Sequence, residues 1–236
     1  MKKIIVSLVV LLTLSFGNTI DKAKAYYEKK DYVSAFNIFE KLASNNDMVA
    51  QNFLGIMYRN GYGVQKDIKQ AVEWYKKAAD QGYANAQSNL GNMYYNGEGV
   101  QKDIKQAVEW NKKAADQGYA NAQNFLGNMY ETGKGVEKDY KKAVEWYKKA
   151  ADQGNEGAQF ALGGMYRNGE GVQKDYKQAV EWFKKSANQG NADAQFNLGN
   201  MYIYGKGVQK DYKRAAEWFS LSCNGGFKEA CLMLKN

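Results

Sequence analysis

The side chains that could carry chemistry in this sequence are few in kind. Histidine is absent from all 236 residues, so no imidazole can serve as general base, metal ligand or switch near neutral pH. Carboxylates are common, but the most regular of them recur as copies of one position, whereas a catalytic acid should be unique in a chain. We therefore predict no catalytic residue, no metal site and no cofactor. The recurring carboxylates are Asp67, Asp103, Asp139, Asp175 and Asp211.

Most of the chain consists of copies of one unit of 36 residues. The string QKDIKQAVEW occurs at 65–74 and again at 101–110. A fixed period of this length is typical of an array of stacked supersecondary units. The tryptophans show the interval directly, at Trp74, Trp110, Trp146, Trp182 and Trp218.

Each copy is predicted to form two helices. Ala50, Leu54 and Met57 fall on one helical face, and the Gly-containing segment 60–63 supplies residues that can end a helix in the left-handed conformation. Asp67 is suited to begin the second helix, because its carboxylate accepts hydrogen bonds from free backbone N–H groups. The fold class predicted is all-α, a right-handed superhelical solenoid of antiparallel helix pairs with a 36-residue repeat.

The N-terminus is interpreted as a signal peptide over residues 1–17. Two lysines precede an apolar run over 4–14, and small residues follow it. The run is too short for the roughly 20 residues that span a bilayer; an uncleaved anchor is the alternative. We expect an exported protein, periplasmic or secreted, with no membrane insertion after cleavage. The remaining domain organisation is a solenoid over 18–236, comprising a degenerate first unit at 18–45, full repeats at 46–81, 82–117, 118–153, 154–189 and 190–225, and a capping helix at 226–236.

Two positions stand out from the repeat. Cys223 lies at the end of a second helix and Cys231 at the start of the helix that follows, so a short turn places their Cβ atoms within reach. With export, this predicts a disulfide, and a reactive redox pair is the alternative. Asn111 stands where the other copies have Tyr or Phe. It is interpreted as drift at a half-exposed position, with a polar contact inside the array as the alternative.

The repeat resembles the Sel-1-like repeat, a relative of the tetratricopeptide repeat. The residues 86–118, AQSNLGNMYYNGEGVQKDIKQAVEWNKKAADQG, contain Ala-x-x-x-Leu-Gly-x-x-Tyr, Gly-x-Gly-Val, Ala-x-x-Trp and Lys-x-Ala. The terminal cysteine pair also resembles the secreted cysteine-rich Hcp group, although those proteins carry such a pair in most repeats. The resemblance implies a protein-interaction scaffold. It also gives an alternative, a weak β-lactam-binding protein or β-lactamase, but no serine of the predicted mature chain is followed by the Ser-x-x-Lys lysine of those enzymes.

In the related tetratricopeptide arrays, the first helices line the concave face. On the first helices of this chain, one stripe varies between copies, at offsets −2, +2, +5 and +6 from Leu54 and its equivalents; we call it the variable stripe. Its variation suits a groove that binds one extended protein or peptide ligand, and its alternatives are a solvated wall or aromatics packed on the neighbouring copy. The predicted groove residues are Asn52, Arg59, Ser88, Asn92, Tyr95, Asn124, Asn128, Glu131, Phe160, Arg167, Phe196, Asn200 and Tyr204.

The net charge of +8 is compatible with nucleic acid as a partner, but two features argue against it. An exported chain rarely meets nucleic acid, and the lysines of the second helices recur beside Glu and Asp as a solvated face. The mixed Arg and Glu content of the variable stripe also argues against a phosphate or membrane surface. We therefore predict a protein or peptide partner and no nucleic acid, and the sequence leaves the oligomeric state open.

Overall fold

Residues 19–234 are described by a computed structural model of the chain. Every regular element in this range is a helix, which confirms the all-α prediction. The predicted signal peptide, residues 1–17, lies outside the described range. None of the described helices has the length and apolar character needed to cross a membrane. The helices are α1 (19–28), α2 (Tyr32–Ser44), α3 (Met48–Asn60), α4 (Ile68–Asp80), α5 (Ala84–Asn96), α6 (Ile104–Asp116), α7 (Ala120–Thr132), α8 (Tyr140–Asp152), α9 (Glu156–Asn168), α10 (Tyr176–Asn188), α11 (Ala192–Tyr204), α12 (Tyr212–Asn224) and α13 (Lys228–Met233).

The chain divides into two compact units, the first ending at Ala114 and the second beginning at Ala115. Within each unit, consecutive helices pack in pairs, such as α3 with α4 in the first unit and α9 with α10 in the second. The helices α1 and α2 lie within the segment predicted as a degenerate first repeat. The helix α13 lies within the predicted capping segment. The handedness of the predicted superhelix remains a prediction.

The helices begin and end at the residues that the sequence indicated. The Asp67 carboxylate accepts a hydrogen bond from the Gln70 backbone N–H at 3.0 Å and caps α4. Gly61 ends α3 at a φ of 75°, in the left-handed region where glycine is not penalised. The helix α4 ends in a similar way, because Gln81 is the C-cap and Gly82 follows at a φ of 92°.

Small residues bring the two helices of each pair close together. In α3, Leu54 and Met57 are fully buried in a cluster with Phe39 of α2, and Trp74 of α4 packs against that cluster. Gly55 lies directly under the Tyr75 ring, because a Cβ atom at Gly55 would come within 2.6 Å of Tyr75 Cδ1. The glycine after the first-helix leucine is therefore a packing requirement of the aromatic ring on the second helix.

The tryptophans bridge the core and the solvent. Trp74 is half-buried, and Lys77 places its Nζ 3.9 Å from the centroid of the Trp74 ring. Lys185 lies over Trp182 in the same way at 3.8 Å. The lysine three residues after each of these tryptophans therefore makes a cation–π contact as well as carrying charge.

Buried glutamines connect neighbouring helix pairs. Gln159 donates from Nε2 to the Ala151 carbonyl at 3.2 Å, and its Oε1 accepts from Gln189 Nε2 at 2.8 Å. The pattern stops at the C-terminal end, where glycine at 225 stands in place of the donor glutamine. There the buried Gln195 Oε1 has no hydrogen-bond partner among the described residues. These buried amides satisfy the last carbonyls of the preceding helix, a role that the sequence analysis did not identify.

Candidate functional site

The −2 position of the variable stripe is covered by the protein itself. Asn52 and Ser88 are each only 3% exposed. Asn52 Oδ1 accepts from Asn89 Nδ2 at 3.0 Å, and the Ser88 hydroxyl donates to Asn111 Oδ1 at 3.0 Å. Their prediction as groove residues is therefore wrong for this structure, because both side chains are enclosed and hydrogen-bonded where no ligand reaches them.

Two of the three −2 residues of the second unit are aromatic, Phe160 and Phe196, and their rings pack inward. Phe160 lies 5.8 Å from Phe183 between ring centroids, and Phe196 lies 5.6 Å from Phe219. Phe196 also lies 4.8 Å from Phe227. Both are half-buried. Each contacts the aromatic ring on the second helix of its own copy rather than the neighbouring copy, and only Phe196 also reaches the predicted capping segment, at Phe227.

Part of the variation along the stripe is matched by variation at the residues that the stripe contacts inside the protein. The residue at −2 pairs with the residue 23 positions later on the second helix, as Ser88 does with Asn111 and Phe160 with Phe183. Asn111 is fully buried and also donates to the Ala107 carbonyl at 3.0 Å. The half-exposed interpretation of Asn111 is therefore wrong, and the internal polar contact is confirmed. The two members of each pair are separated by the same 23 residues, one on the first helix and one on the second helix of a copy.

Two residues at the +5 position, Glu131 and Arg59, have polar partners inside the protein. Glu131 accepts a hydrogen bond from the Tyr147 hydroxyl at 2.6 Å. Burial, and then the hydrogen bond to Glu131, raise the pKa of Tyr147. Arg59 forms an ion pair with Glu98 at 2.8 Å, and burial raises the pKa of the neighbouring Tyr75, with a smaller lowering effect from Arg59.

The remaining predicted groove residues keep part of their side chains accessible. Asn92, Tyr95, Asn124 and Asn200 are half-buried, and Asn128 is exposed. Lys102 lies over the Tyr95 ring at 5.9 Å. The accessible part of the stripe therefore consists of the +2, +5 and +6 positions, together with Asn124 at the −2 position.

One open depression in the second unit gathers three of the predicted residues, Arg167, Asn200 and Tyr204. Tyr204 is 65% exposed, and Arg167 donates from Nη1 to the Asn197 side chain. Asn197 and Lys206 were not among the predicted groove residues, because neither is part of the variable stripe. The complete lining is Arg167, Asn197, Asn200, Met201, Tyr204 and Lys206, contributed by α9, α11 and the turn after α11.

Two further depressions recur with the repeat. One is lined by Tyr94, Val100 and the segment 101–103, and its counterpart 72 residues later is lined by Tyr166, Val172 and the segment 173–175. Both lie beside the Gly-rich turn that precedes a second helix. Because they are built from the constant residues of the repeat, they offer no distinction between copies.

The two cysteines form the predicted disulfide. Cys223 and Cys231 are bonded, with their Cα atoms 4.8 Å apart. Cys223 belongs to α12 and Cys231 to α13, so the bond ties the short last helix to its neighbour. This is the constraint expected for a helix that has no following repeat among the described residues.

Comparison with known proteins agrees with this architecture. No functionally curated protein matches the chain. A Sel1 repeat protein from Oxalobacter formigenes has a similar crystal structure at 36% identity and a TM-score of 0.85, covering 92% of this chain and 86% of that one. A protective antigen of uropathogenic Escherichia coli with an SLR fold matches at 36% identity and a TM-score of 0.82; the match covers 92% of this chain but 47% of the antigen.

A more distant similarity extends to an immunity protein from Pseudomonas aeruginosa, at 23% identity and a TM-score of 0.58, covering 86% of this chain and 82% of that one. That likeness concerns the fold alone. The Sel1 repeat model matches six segments that together cover most of the sequence, at 25–47, 49–83, 84–119, 120–155, 157–191 and 192–227. The chain therefore belongs to the Sel1 repeat family, whose members generally act as protein-interaction scaffolds.

Proposed function

We propose that this protein is an exported interaction scaffold that binds a segment of a partner protein along the accessible part of its first helices. The observation that carries the proposal is the open depression lined by Arg167, Asn200 and Tyr204. These residues vary between copies of an otherwise near-constant repeat, and they lie together where a ligand can reach them.

The chemistry of the depression suits a peptide. The Asn200 amide can both donate and accept, which matches the N–H and C=O groups of a peptide backbone. Tyr204, at 65% exposed, offers a large ring whose burial would contribute to binding. Met201 borders the depression and adds apolar surface that adapts to different side chains.

Two features support export. The sequence of residues 1–17 has the basic, apolar and small-residue order of a signal peptide. The disulfide between Cys223 and Cys231 is the kind of bond that persists in oxidising compartments. Together they favour a periplasmic or secreted scaffold, and fractionation of cells followed by mass determination of the mature N-terminus tests this part directly.

The binding site is tested by a cross-linked pull-down that compares three forms of the protein. The first is the parent, and the second carries Asn200→Ala and Tyr204→Ala. The third is a matched control with Asn188→Ala and Tyr212→Ala, which changes the same residue types at exposed positions outside the depression. Circular dichroism checks that all three are folded.

We expect one partner to be captured by the parent and the control but lost from the Asn200→Ala, Tyr204→Ala variant. Equal capture by all three forms would place the contact elsewhere and contradict the proposal. Loss from the control as well would show that the exposed surface in general, rather than the depression, is responsible.

A further inference from the structure

We propose that the depression in the second unit selects an acidic segment of the partner, a peptide that places Asp or Glu side chains beside Arg167 and Lys206. This inference rests on the proposed function, because it names the ligand chemistry of that same site. It follows from a comparison of the depression with the equivalent place in the first unit of the same chain.

In the first unit, the arginine at this position is paired with a carboxylate of the same unit. Three repeats separate the two places, and 167 − 108 gives Arg59, while 206 − 108 gives Glu98. Arg59 Nη2 lies 2.8 Å from Glu98 Oε2, and Arg59 Nε donates to the same oxygen at 3.0 Å. The other carboxylate oxygen, Glu98 Oε1, accepts from Asn96 Nδ2 at 2.8 Å. This arginine therefore has its counter-charge built in.

The second unit lacks that counter-charge, because Lys206 stands where the first unit has a glutamate. The hydrogen-bond partners of Arg167 are the neutral side chains of Asn168 and Asn197. The Lys206 ammonium lies over the rings of Tyr204 and Tyr176, at 5.6 and 5.7 Å from their centroids. Within residues 19–234, neither Arg167 nor Lys206 forms an ion pair with a carboxylate.

The nearest acidic group in the hydrogen-bond chain is Glu170. Its Oε2 accepts from Asn168 Nδ2 at 3.3 Å, so it is one neutral side chain removed from Arg167. Two cationic side chains therefore border one open depression, and neither is paired with a carboxylate of the described residues. Both can donate hydrogen bonds to a carboxylate of a ligand. Arg167 offers the planar donor arrangement that carboxylates match well.

The surroundings favour an acidic peptide over a polyanion such as a nucleic acid or an anionic polysaccharide. Glu131, at the +5 position of the preceding repeat in the same unit, places an acidic side chain beside the Tyr147 hydroxyl, and an acidic group on this stripe disfavours a ligand that is charged along its whole length. Asn197 and Asn200 line the depression and suit a peptide backbone. A ligand with its acidic residues confined to one place satisfies both features.

The test is a selection of random linear peptides displayed on phage, followed by affinity measurement with synthetic versions of the selected peptides. The key variant is Lys206→Glu, which restores in the second unit the charge arrangement of Arg59 and Glu98. The matched control is Lys184→Glu, which makes the same change in net charge at an exposed position of α10 outside the depression. Thermal unfolding confirms that both variants fold like the parent.

We expect peptides enriched in Asp and Glu that bind about tenfold more weakly to Lys206→Glu, a change of about 1.4 kcal/mol, and unchanged to Lys184→Glu. Their affinity should also fall as salt is raised. Peptides that depend on Tyr204 and Asn200 but show no acidic enrichment, and bind Lys206→Glu as well as the parent, would overturn this inference and leave the proposed function standing. Selection of no peptide that depends on Tyr204 and Asn200 would overturn both.

Discussion

Replacing Asn111 with alanine should lower the free energy of unfolding of the first unit by about 2–4 kcal/mol. Asn111 is fully buried, and its Oδ1 accepts from the buried Ser88 hydroxyl at 3.0 Å. A buried hydroxyl that loses its acceptor costs about 1–3 kcal/mol. The missing amide also leaves a space of roughly 30 Å³ beside Gly91, which at about 24 cal/mol per Å³ adds roughly 0.7 kcal/mol.

A double-mutant cycle isolates the hydrogen bond from the packing. Ser88→Ala alone should cost about 1–2 kcal/mol, because Asn111 Oδ1 then loses its donor. The pair Ser88→Ala with Asn111→Ala should cost about 1 kcal/mol less than the two single changes added together. The pair Ser88→Ala with Asn111→Leu should recover most of the loss, since two apolar groups of similar shape leave no polar atom unpaired.

The assay is urea unfolding followed by far-ultraviolet circular dichroism, with the dependence on urea compared between variants to verify that the transition is unchanged in kind. Asn188→Ala, at the exposed end of α10, is the control and should change stability by less than about 0.5 kcal/mol. Additivity of Ser88→Ala and Asn111→Ala, or an effect of Asn111→Ala no larger than that of the control, would refute the reasoning.

Three further predictions concern packing, the disulfide and pH. Gly163→Ala should destabilise the second unit by about 1–3 kcal/mol, because the new Cβ would lie 2.5 Å from Phe183 Cδ1. The matched control is the adjacent Gly164→Ala, whose Cβ would meet nothing within 4 Å, and it should be neutral or stabilising by up to about 1 kcal/mol. Equal urea unfolding midpoints for the two variants would contradict this prediction. Reduction of the disulfide, whose cysteines are separated by 8 in sequence, should lower the free energy of opening of α13, measured by hydrogen exchange, by about 2–3 kcal/mol. Unchanged protection from exchange would show that packing alone holds the helix. Burial raises the pKa of Tyr147 above its value in the unfolded chain. The stability that Tyr147 contributes is therefore complete below pH about 10 and is lost as the pH rises further. The loss of stability at alkaline pH should be smaller in Tyr147→Phe, and identical stability–pH profiles for the two proteins would disprove this prediction.

Features that depend on a few neighbouring residues were predictable from the sequence. The 36-residue period, the Asp67 cap and the glycine at the end of α3 each follow from local backbone chemistry, and the structure has them where they were expected. The disulfide was predictable for the same reason, because Cys223 and Cys231 are joined by a short turn.

The tertiary structure alone decided which part of the variable stripe is accessible. Periodicity assigns a residue to a helical face, but how much of that face is covered depends on how closely the next helix approaches. The glycine at position 55 allows a close approach to Tyr75, so the covered band widens to include the −2 position. Asn52 and Ser88 are therefore interior residues, although their helical phase alone placed them with the groove.

Charge partnerships across repeats also required the three-dimensional arrangement. Arg59 and Glu98 are 39 residues apart in sequence, and no local pattern marks them as a pair. The same is true of Arg167 and Lys206, which line one depression because Arg167 of α9 reaches Asn197 of α11. The sequence determines where each helix begins, ends and turns its apolar face, whereas the packing between helices determines which polar side chains meet and which stay open to a partner.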